Sequence, residues 1–174
     1  MYALLIVLTL VGLFFTLPLW LPRAWYRKLV YPGGRPNWAS RHLNAASAWV
    51  HGLGFLPPFL LTLETRGRTT GRIYRIPLIA ADVAGERYLV SMLGENADWV
   101  RNVHAAGGDA LLRHGSVERV RLDEVPIAER APILKQYLQR APGARPHFDV
   151  AWTAPVSDFE PIAAHYPVFR IARR

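Results

Sequence analysis

Apolar and polar positions alternate from Phe59 to Arg66, with Phe59, Leu61 and Leu63 on one side and Thr62, Glu64 and Arg66 on the other. That is the two-residue period of a half-buried strand. The period returns over Ile73 to Ala81, and the two runs predict a hairpin joined by Gly67-Arg68-Thr69-Thr70-Gly71-Arg72. The glycines there permit the positive φ values of a tight, amide-exposing turn. Pro77 predicts an edge position or a bulge within the second strand. Tyr88 to Leu93 predicts a third strand after a turn at Gly85.

The period then lengthens. Leu43, Ala46 and Val50 fit one face of a helix from Ser40 to His51, with Ser40 as its N-cap. A second helix is expected with Asn96 as cap, Trp99 and Val103 four apart on one face, and Gly107-Gly108 as its stop. Asn102, three residues after Trp99, shares that face. Ala110 to Arg113 and Val117 to Leu122 predict another hairpin around Gly115-Ser116, and Pro126 to Arg140 a helix kinked at Pro132. Residues from Ala141 to Pro161 read as irregular, and Val168 to Ala172 as a closing strand. The order is mainly β (α+β) with inserted helices and no βαβ repetition, which predicts a small antiparallel barrel.

Ahead of this domain the pattern is uniformly apolar. Met1 to Pro22 carries no charge, and Leu4 to Leu21 is interrupted only by Thr9, Gly12, Thr16 and Pro18. At about 1.5 Å per residue such a run nearly crosses a hydrocarbon core of about 30 Å, with Trp20, Trp25 and Tyr26 as interfacial aromatics. The expectation is a membrane helix over 1–22, either spanning or lying in the interface. A cleavable signal peptide fits less well, since no basic region precedes the run and no small-x-small site follows it. Residues 23–39 read as a basic juxtamembrane linker with Gly33, Gly34 and Pro36, and 40–174 as the barrel domain. Arg23, Arg27, Lys28, Arg35 and Arg41 follow the apolar run, which by the positive-inside tendency sets the domain on the cytoplasmic side of the cell membrane.

Composition narrows the chemistry. The chain of 174 residues has no cysteine, so disulfides, thiolate metal sites and cysteine nucleophiles are excluded. Its six histidines show no H-E-x-x-H or other close ligand spacing, and there is no G-x-S-x-G elbow, Walker loop or Rossmann fingerprint. The formal charge of +8 comes almost wholly from arginine, whose planar fork suits phosphate and carboxylate. Arg66, Arg68, Arg72 and Arg75 surround the Gly67 to Gly71 bend, where amides, two hydroxyls and guanidinium groups can converge on an anion. The competing reading is a solvated hairpin tip. Arg75 weighs against it, because alternation sets this residue on the face of Ile73 and Ile79, where a bound anion or a buried partner is called for. A nucleic-acid partner is not expected, since the arginines gather at a turn without interleaved aromatic stacking platforms.

Four motifs in order carry a resemblance. They are Thr65-Arg66-Gly67-Arg68-Thr69-Thr70-Gly71, then Arg75-Ile76-Pro77-Leu78, then Ser91 leading to Gly94, then Trp99-Val100-Arg101-Asn102. Together they resemble the deazaflavin-dependent nitroreductase family over roughly Leu60 to Val125, with departures at Thr69 and Met92, where that family commonly has lysines. The resemblance implies a split β-barrel, similar to flavin-binding proteins, that binds reduced coenzyme F-420, or alternatively FMN. The implied activity is transfer of a hydride to a quinone, nitroaromatic or similar acceptor, and a homodimer is family-typical. By position it implies that Arg68, Thr69, Thr70 and Arg75 hold the cofactor phosphate and that Ser91, Trp99 and Asn102 lie along the cofactor. Trp99 reads equally well as a plain helix-to-core anchor. The alternative that keeps the barrel without catalysis is a membrane-tethered carrier of a flavin-like or tetrapyrrole ligand. No catalytic acid or base is expected, because the cofactor carries the hydride.

Overall fold

The structure, a computed structural model, describes residues 5–6, 9–10, 12–13, 16, 20–32 and 36–173. Much of the expected membrane helix over 1–22 therefore lies outside the described residues. Among those described, no helix is long and apolar enough to cross a membrane.

Six strands close into an antiparallel barrel in the order β1-β2-β3-β6-β5-β4, β4 returning to β1. They are β1 (Leu60–Arg66), β2 (Ile73–Val83), β3 (Glu86–Val90), β4 (Asp109–His114), β5 (Ser116–Glu124) and β6 (Val168–Arg173). The expected hairpins form, with Arg66 opposite Ile73 and His114 opposite Ser116. The closing strand bridges β3 and β5, and so completes the ring. Pro77 sits where β2 pairs only with β1, because the β3 partners begin at Ala80, so its missing N–H interrupts no ladder on the other edge.

Alternation sorts the strand residues into two cores. Leu61, Leu63, Ala80, Leu89, Leu112, Val120, Leu122, Phe169 and Ile171 fill the barrel, joined by Trp99, Val100 and Val103. The latter three come from α3 (Asp98–Ala105), which packs at the end of the barrel where β1 finishes. Outside the wall, Ala81 and Val90 meet Ile133, Leu134, Tyr137 and Leu138 of α4 (Arg130–Arg140), along with Phe148 and Phe159 from the segment that follows. This segment is irregular in the expected sense, being built from short 3-10 turns. A second outer element, α2 (Trp38–Gly52), lies on β1, β2 and β4.

Four local expectations change. The cap of α2 is Asn37, whose side chain accepts the Ser40 amide at 2.8 Å, while the Ser40 hydroxyl donates to the Val30 carbonyl at 2.8 Å. Asn96 does not cap α3; the N-cap position is Ala97, and the Asn96 side chain instead accepts from Arg101. Pro132 does not kink α4, because it falls in the first turn, where an N–H has no intrahelical acceptor to lose. Within the stretch read as a linker, α1 (Arg23–Val30) is helical and buries Tyr26 and Val30 with Tyr31, edge-on to the His147 ring.

Candidate cofactor site at the β1–β2 bend

The bend is closed by its own backbone: the Gly67 amide donates to the Arg72 carbonyl and the Gly71 amide to the Gly67 carbonyl, both at 2.8 Å. Gly71 takes φ +68°, open to glycine at little cost. Gly67 is required for a different reason. A Cβ there would sit 2.5 Å from the Tyr74 ring and 2.6 Å from the Thr70 hydroxyl, so the tyrosine lies directly over the glycine backbone. Thr70 and Tyr74 hydroxyls are 3.2 Å apart, which fixes the shoulder of the bend.

Asn102 ties this bend to the barrel. Its side chain is almost fully buried, accepts from the Arg68 amide at 3.2 Å and from the Arg68 guanidinium at 3.1 Å, and faces the Thr65 hydroxyl at 3.5 Å. Arg68 also pairs with Asp98, one turn earlier on α3, at 3.1 Å. Asp98 is largely exposed, so this pair is worth little and opens readily to a competing anion. Among the described residues the amides of Thr69 and Thr70 take no hydrogen-bond partner, and both side chains are exposed beside Arg72. Two free amides, hydroxyls and guanidinium groups on a bend held by a buried asparagine form a donor set suited to an anionic tail.

The other expected site residues lie elsewhere around this feature. Trp99 shares α3 with Asn102 but is buried edge-to-face on Phe169, ring centres 5.5 Å apart, so its packing role is realised. Ser91 is buried just past β3, where its amide bonds the Pro167 carbonyl and its hydroxyl the Gly94 carbonyl at 2.8 Å. This turn, with Gly94 at φ +76°, ends the third strand earlier than the sequence predicts. Arg75 stands on the outer face of the wall, and the partner that alternation calls for is Glu64, directly across the β1–β2 ladder. Arg75 and Arg113 both donate to the same carboxylate oxygen, each at 2.9 Å. Burial disfavours the charged form of Glu64, yet these two guanidinium groups prevail and hold its carboxyl below the ordinary range. The structure thus gathers Arg68, Thr69, Thr70 and Asn102, whereas Arg75, Ser91 and Trp99 have separate structural tasks.

Glu64, Thr65, Tyr74 and Asp98 are contributors that sequence reasoning did not single out. Asp98 had one available signal, its position four before Asn102 on one helix face. Phe148 and Tyr166, lacking any motif, stack at 3.9 Å, and Tyr166 donates to the His147 carbonyl at 2.7 Å. The His147 ring is held neutral by burial and by the charge of Arg27, which lower its pKa to about 4.

No curated protein sequence matches the chain. Solved structures similar in fold include an F420-H2 dependent reductase, FDR-A, at 18% identity, with 67% of this chain and 96% of that one covered and a TM-score of 0.45. An F420 reductase follows at 17% identity, covering 71% and 90%, TM-score 0.41. A heme-binding protein from Mycobacterium smegmatis has 13% identity, covering 74% and 52%, TM-score 0.47. The family profile of F420H(2)-dependent quinone reductases matches residues 38–146 and so includes α2, the bend, α3 and α4. The chain belongs to the F420H(2)-dependent quinone reductase family, oxidoreductases whose cofactor is coenzyme F-420.

Proposed function

We propose that the chain passes a hydride from reduced F-420 to a quinone, nitroaromatic or similar acceptor while held at a membrane by residues 1–22. The observation that carries this reading is the amide-bearing bend fixed to α3 by buried Asn102. The chemistry supplied by the bound deazaflavin is the hydride itself. Arg68, Thr69 and Thr70 bind its anionic tail, and Asn102 keeps Arg68 and the bend in one orientation. Trp99 and Ser91 act at one remove, Trp99 by seating α3 on the barrel and Ser91 by fixing the turn at Gly94. Arg75 contributes through Glu64 and through long-range positive charge. Such a protein needs placement of donor and acceptor more than a side-chain acid or base. A homodimer is part of this reading, as is a cytoplasmic barrel domain over 40–174 behind the basic stretch 23–39.

Stopped-flow mixing of the full chain, preloaded with reduced F-420, against a menaquinone analogue tests it. Oxidation of the cofactor faster than in free solution and saturable in acceptor is expected. Tight binding with no acceptor-dependent oxidation would replace the reductase with a ligand carrier.

A further inference from the structure

Helix α2 carries large aromatic side chains on the side that faces away from the barrel. Ser40, Ser47, Ala48, Val50 and His51 face inward and are buried, whereas Trp38, His42, Ala45 and Trp49 recur at helical spacing on the outside. Leu53 and Phe55 extend this outer stripe past the helix, and Trp38, Trp49 and Phe55 are 71%, 53% and 61% exposed. A helix whose outer side meets water ordinarily carries charge there, so a large aromatic stripe marks a surface that contacts something else. Helix α1 repeats the arrangement, with Tyr26 and Val30 inward and Trp25 and Leu29 exposed. The two helices meet where the Asn37 side chain donates to the Leu29 carbonyl at 2.5 Å.

Charge identifies the occupant. Residues 1–63 contain no aspartate or glutamate, while Arg23, Arg27, Lys28, Arg35 and Arg41 lie among them, so every one of the acidic residues comes at Glu64 or later. A second copy of the chain packed on this face would bring like charges together with no acidic complement in either α1 or α2. An anionic bilayer supplies the missing charge, and tryptophan rings suit the headgroup boundary.

We propose that the outer faces of α1 and α2, with the Leu53 to Phe55 loop, dock the barrel itself onto an anionic membrane surface. This goes beyond the anchoring by residues 1–22 proposed above, because it uses different residues and fixes how the barrel lies.

The absence of cysteine allows a single reporter. Full-length F55C carrying an environment-sensitive fluorophore is mixed with phosphatidylcholine vesicles with or without phosphatidylglycerol and a lipid-borne quencher, and E160C, exposed after the turn that packs on α4, serves as reference. With phosphatidylglycerol present, the label at 55 should shift to the blue and be quenched while the label at 160 stays in water. Affinity should rise about tenfold over pure phosphatidylcholine. Adding Trp49→Glu should return the label at 55 to water while the chain still sediments with the vesicles. A label at 55 as exposed as that at 160 on sedimented vesicles would overturn the docking face but leave the anchor. Protection without vesicles that grows with protein concentration would assign the face to a second copy, and failure to sediment at all would end both readings.

Discussion

Glu64 shows how one buried carboxylate can organise the outer wall. It lies at 6% side-chain exposure between Arg75 and Arg113, which belong to the two strands flanking β1. Its desolvation is offset by two charge-assisted hydrogen bonds, which keep its folded pKa below the unfolded value. A group of that sign stabilises the fold above the ordinary carboxylate range, and the contribution is lost as pH falls through the folded value. Glu64→Gln should therefore lower the melting temperature at neutral pH. The gap to the parent should shrink in acid, as followed by thermal denaturation between pH 7 and pH 3. An equal gap at both ends of that range would mean that the ion pairs are worth nothing. Sequence alternation set Arg75 on the face of Ile73 and Ile79 and called for either an anion or a buried partner. The choice of Glu64 depends on ladder register, which only the pairing of Glu64 with Arg75 reveals.

Elements were legible where glycine and alternation agree. Both long hairpins follow from sequence because the turn residues at Gly71 and Gly115 adopt the positive φ that their chemistry permits. The β2–β3 turn is less ideal. Val83 pairs with Glu86, so Ala84 and Gly85 make a two-residue turn, with φ of +51° and +82°. Such turns favour Asn-Gly, since alanine resists the left-handed region. Ala84→Asn should stabilise the fold by about 0.5–1 kcal/mol, seen as a rise in melting temperature, and an unchanged or lower melting temperature would contradict the strain assigned to Ala84. Caps were the least legible features. Ser40 and Asn96 are both good capping residue types, yet Asn37 captures the Ser40 amide and Arg101 engages Asn96. Local preference cannot rank two candidates three residues apart when each has a different tertiary partner.

At the scale of the whole molecule, the bend and α3 meet only because the barrel closes. Thr65 and Asn102 are far apart in sequence but adjacent at one barrel end, and Asn102 there reaches the amide and guanidinium of Arg68. The motif order hinted at this convergence, whereas the competition between Asp98 and a ligand for Arg68 needed coordinates. Direct titration of F-420 onto the full chain, followed by fluorescence, tests whether the bend holds the cofactor. The parent should bind saturably, Asp98→Asn should bind several-fold tighter because Arg68 is released, and Asn102→Ala should bind at least about tenfold more weakly because the bend loses its tether. Equal affinities across three folded proteins, or no saturable binding by any of them, would contradict the account.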